Sequence, residues 1–506
     1  MLEILPTPPP LLYGALGAAI SYYGFCFLPQ EDRVPWMLGI LLFMAVLVSL
    51  IQVLAHDPGL FGKPQRTYQR VRRYRVYSLA LALGMSVGLS AGSRVPAVWF
   101  GIPEDRVRAV YGTLKEDPRA FHDRRGMGYL ALKQVSGPGG IKASSGGTLL
   151  VFFPEGTIPR LQAFGRGSDV FLEGALRTLE PRTKAASTLE KCFLAQSVHL
   201  LEPAPALEQL RTRGRMNLME GFTGYPWAGL AEALLLGVRD NLDTELSRAY
   251  QYAGCSHVLA LSGMHLAILA GGLAWFLRKL LGIKAAALLG GCGIMGYVYM
   301  VGNLPSLTRA AIMYLLGTLA VLGSFPKKQA SSLSISLLGM AFLIQIMRYP
   351  ESGLSVSFIL SYLALGGILF IGRAIHACIR GMIPEVIAQP LATSLGAFIA
   401  VAPGTTGFFG TLQPVGILAG LIIVPLTSLF MLGALAVRIL PGNGLGLILT
   451  ILYDILKPLV SLAAQVPGIP LSDPLLTAVL SLGIAGTCMF LSHRQTVMRR
   501  NLAPFD

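Results

Sequence analysis

The 506-residue chain is short of charge: Asp, Glu, Lys and Arg make up 13% of it, about half the share in a soluble globular protein. Hydrophobic residues make up 53%. With repeated apolar runs of spanning length, that balance excludes an ordinary soluble enzyme and defines a polytopic helical membrane protein. Histidine is scarce, at seven residues. Apart from His257 and His265 these stand alone, so no His-x-His-x-Asp-His cluster occurs. The six cysteines (Cys26, Cys192, Cys255, Cys292, Cys378 and Cys488) form no CxxC, which excludes a zinc ribbon or a disulfide framework. Cys192 and Cys255 are the two that could meet outside the membrane. No Walker A sequence is present, so the chain is not a P-loop ATPase. Neither a metal nor a cofactor is expected.

What is there falls into five regions. Residues 1–92 hold three apolar runs, 11–28, 36–55 and 76–91. The first is not a cleavable signal, because Glu3 but no Lys or Arg precedes it and it ends at Pro29 without a small-residue cleavage site. Lys63, Arg66, Arg70, Arg72, Arg73 and Arg75 form a basic loop between the second and third runs. The positive-inside rule puts that loop and the N-terminus in the cytoplasm and the region after residue 91 outside. Residues 95–205 are polar, 206–255 read as interfacial helices, and 256–492 are almost wholly membrane. Nine spans are expected there: 256–277, 284–302, 305–323, 331–347, 354–372, 385–402, 413–437, 445–465 and 475–492. Arg278, Lys279, Lys284, Lys327, Lys328, Arg373, Arg380 and Arg438 fall on cytoplasmic connections of that scheme. The total is twelve spans, with a cytoplasmic tail at 493–506. Two spans carry interruptions: 413–437 holds Pro414 and Pro425, and 445–465 holds Asp454, Lys457 and Pro458. Both are candidates for re-entrant or interfacial segments. Residues 404–410 read as a flexible loop.

In 95–205 the apolar runs shorten and alternate. Segments 106–114, 127–135, 147–153, 169–179 and 192–201 are expected strands of a small β-barrel, for which an OB-type fold and other small barrels fit equally. From Arg94 to Arg215 there are 18 Lys and Arg against 12 Asp and Glu. Arg106, Arg108, Lys115, Arg124, Arg125 and Lys133 interleave with Tyr111, Phe121 and Tyr129. Cations for phosphates and flat rings for bases are what a single-strand binder needs. A solvated β surface with ordinary core aromatics gives the same pattern. Next come Arg211, Arg213 and Arg215, expected on a surface helix, and Trp227 as a membrane-interface anchor. Asp243 is the expected N-cap, with Glu245 in the first turn, of a helix ending at Gly254.

The chemistry concentrates after that helix. On one continuous helix His257, Leu261 and His265 fall at i, i+4 and i+8, with Ser262 at the stripe's edge and Gly263 leaving room for a close neighbour. Such a stripe faces protein or water rather than lipid. Three readings stay open: hydrogen bonding between helices, lining of a solute path, and a hydrolytic site built on Ser262 and His265. The histidine spacing is poor for metal. Arg309 opens a later span and either snorkels or faces a cavity. Ser352, Ser355, Ser357 and Ser361 place hydroxyls on more than one helix face, where small polar residues also serve plain packing.

The run Gly254-x-Ser256-His257-Val-Leu-Ala-Leu-Ser262-Gly263-Met264-His265, preceded by Asp243-x-Glu245-Leu246, closely resembles the signature of ComEC-type competence proteins, with Cys255 at that family's usual Leu. Pro305-x-x-x-Arg309-Ala310 resembles the family's Pro-x-x-Arg-Ala block with one extra residue. Ser355-Val-Ser357-Phe358-Ile-Leu-Ser361 resembles its Leu-Ser-Phe-x-Leu-Ser block. Phe409-Gly410 through Val424-Pro425-Leu426 resembles a third block, with Ala419-Gly420 departing from Ala-Asn. The resemblance implies an inner-membrane channel for transforming DNA with an OB-like domain at 95–205. It also implies a short form, since longer members end in a metallo-β-lactamase-like domain proposed as a nuclease. His257, Ser262, His265, Arg309, Ser357 and Ser361 become pore or gate candidates, and the six basic residues of 95–205 become DNA guides. Moving each phosphate inward against 100 mV costs about 2.3 kcal/mol, so a passive pore needs a pulling partner. A cytoplasmic helicase or single-strand-binding protein would serve, with a DNA receptor and a strand-degrading nuclease outside. Membrane lipid and a second copy of the chain are further expected partners. The alternatives are a membrane-embedded hydrolase and a transporter of another anionic polymer or lipid.

Overall fold

The computed structural model describes residues 9–27, 33, 35, 39–40, 64–95, 98–120, 126–157, 165–179, 190–322, 330–440, 443–471 and 473–501. Most of span 36–55, and the candidate guides Arg124 and Arg125, lie outside the described residues.

Among the described residues, the helices α1 (Pro10–Phe27) and α2 (Pro64–Ser93) belong to the opening region. The basic stretch expected as a loop is helical from Pro64 onward, because Gln, Arg and Tyr carry no helix breaker between Pro64 and the apolar run. The two helices meet through small residues. A Cβ on Gly84 would fall onto the Gly14 carbonyl, and Ser21 Oγ donates to the Met85 carbonyl at 2.9 Å. Without a hydrophobic drive between helices in lipid, such close approach supplies the attraction.

The polar region forms a barrel. Its long strands are β2 (Ala109–Leu114), β4 (Gly126–Ser136), β6 (Thr148–Phe153), β7 (Asp169–Leu179) and β8 (Glu190–Glu202), with short β1 (Trp99–Phe100), β3 (Arg119–Ala120) and β5 (Lys142–Gly146) at the margins. These five match the five expected strands to within a few residues. Around the barrel they run β2-β4-β6-β8-β7 and back to β2, and β6 and β8 are the parallel neighbours. Numbered by the five long strands, the order is 1-2-3-5-4-1. Alternate residues point inward, so Val110, Leu130, Leu149, Val151, Leu172 and Phe193 fill a dry core. Cys192 on β8 and Cys255 are both buried free thiols, so the pair that could have met does not.

Helix α3 (Ala206–Glu220) leads from the barrel to α4 (Ala228–Leu236) and α5 (Thr244–Tyr252). Trp227, expected as an interfacial anchor, is instead fully buried within the protein. It stacks on Tyr225, meets Phe430 edge-on and donates from Nε1 to Thr450 Oγ1 at 3.1 Å. Asp243 caps α5 by accepting the Glu245 amide at 2.9 Å, and Gly254 closes it at φ 70°, as the sequence pattern expects. Arg211, expected on a surface helix, is 4% exposed.

The remainder is helical apart from a short antiparallel pairing of Thr411–Leu412 with Ile469–Pro470: α6 (Ser256–Leu259), α7 (Gly263–Val301), α8 (Pro305–Leu322), α9 (Ala330–Arg348), α10 (Val356–Ile379), α11 (Glu385–Phe409), α12 (Val415–Ile439), α13 (Asn443–Ala463) and α14 (Pro474–Asn501). Gly282, at φ 80°, folds α7 back on itself, so that Leu273 lies 3.0 Å from where a Cβ on Gly293 would sit. Residues 263–281 and 283–301 are therefore two antiparallel helices. The expected loop 404–410 is helical as far as Phe409 and ends at Gly410 in the left-handed region. The interrupted segments are continuous helices, with Pro425 inside α12 and Pro458 inside α13. Among the described residues, eight helical segments are long and apolar enough to cross a membrane, with 263–301 counted once.

Candidate functional site

The expected stripe from His257 to His265 does not form, because the helix breaks between Leu259 and Gly263. Ala260 turns extended, and Ser262, also extended, caps the next helix. His257 therefore sits exposed on the four-residue helix α6, while His265 lies in the first turn of α7 with no exposed surface. The cause is local. The Ser262 amide donates to His265 Nδ1 at 3.3 Å, so the imidazole reaches back to cap its own helix. That bond occupies Nδ1 with a backbone donor, so this nitrogen is not aimed at the Ser262 hydroxyl. Among the described residues no cluster of three or more His, Cys, Asp or Glu is placed to hold a metal ion.

Gly263 lets α8 come close. A Cβ there would lie 3.0 Å from Ala310 Cβ and 3.1 Å from Nη2 of Arg309. Arg309, 9% exposed, reaches across to α10, where Nη1 donates to the Ser361 carbonyl and the guanidinium stands 5.7 Å from the Tyr362 ring. Ser306 and Ser357 hydroxyls meet at 3.3 Å between the same two helices. Behind them Tyr362 donates to Gln345 Oε1 at 3.0 Å, and Gln345 Nε2 donates to the Pro305 carbonyl at 2.9 Å. Four candidates from three sequence blocks, His265, Arg309, Ser357 and Ser361, thus lie near where α7, α8 and α10 begin, with Ser262 at the break and His257 on its outer side. Gln345 and Tyr362 belong to the same network. Their sequence signal was only a polar residue and an aromatic inside apolar runs.

The turn Pro350–Leu354 joins this site to the barrel. Ser355 caps α10 by accepting the Phe358 amide at 3.2 Å. From the other side Tyr23 donates to the Gly353 carbonyl at 2.9 Å, and Tyr22 donates to the Pro350 carbonyl. Glu351 takes the Lys115 ammonium on both oxygens, at 2.6 and 2.8 Å, while Lys115 also donates to Thr148 Oγ1 on β6. Lys115, expected as a free DNA guide, is therefore a strut between barrel and bundle. Lys133 is also engaged: its ammonium binds Asp169 Oδ2 at 2.7 Å and stands 5.4 Å from the Tyr111 ring. Burial alone would raise the Asp169 carboxyl. Hydrogen bonds from Lys133, Thr113 and Tyr111 outweigh it and hold the group below the ordinary carboxylate range. Arg106 and Arg108 stand exposed beside β2.

A second junction ties the barrel to α3. Asp117, after β2, accepts from Arg211, Arg215 and the Arg166 amide, and Glu208 accepts from Arg166 and Arg211. Arg211 also donates to the Met300 carbonyl at 3.1 Å, at the negative end of α7.

A membrane-crossing helical bundle carrying a closed five-stranded barrel, with a buried polar site where three helices begin, defines an integral membrane protein. A family model described as Competence protein matches residues 234–496, and the chain belongs to that family. It is similar to ComE operon protein 3 of Bacillus subtilis (strain 168), 33% identical over 139 residues, which are 26% of this chain and 17% of that protein. It is also similar to an uncharacterized protein of Aquifex aeolicus (strain VF5), 26% identical over 239 residues, 47% of this chain and 54% of the other. The chain thus spans about half or less of the length of the curated relatives it matches. No solved structure matches it.

Proposed function

We propose that the protein is a cytoplasmic-membrane channel importing single-stranded DNA during natural transformation, with twelve spans, both termini cytoplasmic and the barrel outside. The family supports a role in competence. The barrel's 1-2-3-5-4-1 strand order with one parallel pair supports an OB-like fold, and such folds bind strands across their second and third strands. The observation that carries the reading is continuity. Lys115 and Thr148 border the β4–β6 face, and their link to Glu351 sets it over the turn that leads through Ser355 and Ser357 to Ser361 and Arg309. A strand leaving the barrel would meet the bundle there. Import needs the pulling partner, the receptor and the nuclease described above.

The hydrolase reading is weaker, because the Ser262 amide holds Nδ1 of His265 and, among the described residues, no carboxylate orients the ring. Titrating labelled oligothymidylate into the purified protein across a salt series tests the channel reading. Log affinity should fall linearly with log salt, with a slope near −0.7 for each phosphate contacted. Removing Arg106 and Arg108 together should flatten that slope. Absence of binding at low salt would defeat the DNA-guiding role. In cells, Ser262→Ala should leave most DNA uptake intact under the channel reading and abolish function under the hydrolase reading.

A further inference from the structure

A cavity of about 360 Å³ opens between α2 and α9. Val87 from α2 and Leu343, Ile344 and Met347 from α9 line it, and Arg348 is the charged residue among its walls. The two helices run the same way, because both lie parallel to α1. Gly14 lies against Ala80 and Leu343, and further along α1 Tyr22 reaches Gly353 while Phe25 reaches Gly92. Both helices therefore end on one side, the side of the barrel. Trp99 of the barrel follows α2 there, and Glu351, bound to Lys115, follows α9. Arg348 is the last residue of α9, so it stands at that end of the cavity.

The walls have two characters. Four apolar side chains form a slot, and exposed Leu79 and Leu83 extend the apolar surface along α2. Arg348 is exposed, with its guanidinium 5.0 Å from the Tyr349 ring. Among the described residues no carboxylate pairs with it, and Glu351, the acid nearest in sequence, is held by Lys115. Arg94, in the turn after α2, is a second exposed cation on the same side. A guanidinium matches phosphate oxygens two at a time, and its long stem lies along apolar surface while the charge stays at headgroup level. Hydrocarbon along the slot and phosphate at its end are the two halves of a phospholipid. A nucleic-acid strand or a soluble anion has no use for the apolar wall.

We propose that the slot between α2 and α9 is a binding site for one anionic phospholipid, with an acyl chain along Val87, Leu343 and Ile344 and the phosphate on Arg348. The headgroup then stands beside the turn Pro350–Leu354, which Tyr22, Tyr23 and Lys115 hold. A bound lipid braces the bundle side of the strut between barrel and bundle. The site requires only that these helices meet lipid. Its leaflet, the outer one, follows from placing the barrel outside.

The full chain in maltoside micelles is incubated with phosphatidylglycerol carrying a photoreactive acyl chain, irradiated, digested and mapped by mass spectrometry. Crosslinks should concentrate on Val87 and on residues 343–347, and unlabelled phosphatidylglycerol should compete better than phosphatidylcholine. Arg348→Gln removes the headgroup contact. It should weaken phosphatidylglycerol binding about fivefold, the worth of one cation at an anionic surface, and change phosphatidylcholine binding little. Met347→Trp fills the slot and should remove the crosslinks, while Lys279→Gln, beside the turn at Gly282, should leave them unchanged. Met347 and Arg348 are exposed, so both variants should keep the lipid-free unfolding midpoint of wild type. Crosslinks as heavy on other exposed apolar residues, such as Leu480 and Leu482 of α14, would mean ordinary solvating lipid and overturn the proposal. Wild-type binding in both variants would overturn it as well. If oligothymidylate displaces the lipid, and Arg348→Gln weakens the oligonucleotide instead, Arg348 belongs to the path of the strand and the lipid site is refuted.

Discussion

The junction around Asp117 gives a measurable number. The Arg211 side chain is 1% exposed and that of Asp117 18%, so neither charge is well solvated. Burial alone would raise the Asp117 carboxyl. Arg215, Arg211 and the Arg166 amide overrule it and hold the group below its ordinary range, so it is ionised at neutral pH. Among the described residues, Asp117→Ala leaves Arg215 with the Val301 carbonyl and Arg211 with Glu208 and the Met300 carbonyl. Removing one partner of a buried pair costs about 3–5 kcal/mol. The low end is expected here, because Arg211 keeps two acceptors. Arg211→Ala should cost a similar amount, with lost packing of its stem added. The double variant removes both charges, so its loss should fall short of the sum by about 2–3 kcal/mol. Reversible unfolding in mixed micelles, followed by circular dichroism, gives the four stabilities of the cycle. Repeating it at high salt should change the coupling little, because buried charges are poorly screened. A coupling under about 0.5 kcal/mol would mean that the two residues act independently and that the pair does not join barrel to bundle.

Other outcomes follow from single contacts. Asp169 has a depressed folded pKa, so its contribution is present above the ordinary carboxylate value near 3.9 and is lost as pH falls through the lower folded value. Near-ultraviolet circular dichroism should show wild type loosening below about pH 4. Asp169→Asn should lack that acid step and be about 2 kcal/mol less stable at pH 7. Gly84→Leu would drive a side chain into the Gly14 carbonyl and should cost more than about 3 kcal/mol, seen as a lower unfolding midpoint or lost yield. Lys115→Ala should stay within about 1 kcal/mol of wild type by the same unfolding assay, since the Lys115 and Glu351 side chains are 32% and 40% exposed. A large loss there would mean that the barrel hangs on this one strut.

The barrel was readable because its signal is local. Alternation with period two and turn clusters between strands depend on nearby residues alone, and all five long strands emerged from them. The cap at Asp243 and the gap around Gly282 were readable for the same reason. What stayed hidden was decided by partners far away in sequence. Nothing near Lys115 announces Glu351, 236 residues on, and nothing near Arg211 announces Asp117. A basic residue destined for a strut and one destined for a ligand look alike until their neighbours are known. The break before Gly263 is a middle case. Leu261-Ser262-Gly263 sits inside an apolar run, so helical periodicity carries across it, yet Ser262 with His265 three residues later is also a helix start. Periodicity and capping made opposite claims on the same four residues, and capping won. The break put His257 and His265 in different surroundings. It also began a new helix at Gly263, whose first amides look to the Ser262 cap rather than to the preceding turn that one continuous helix would have offered them.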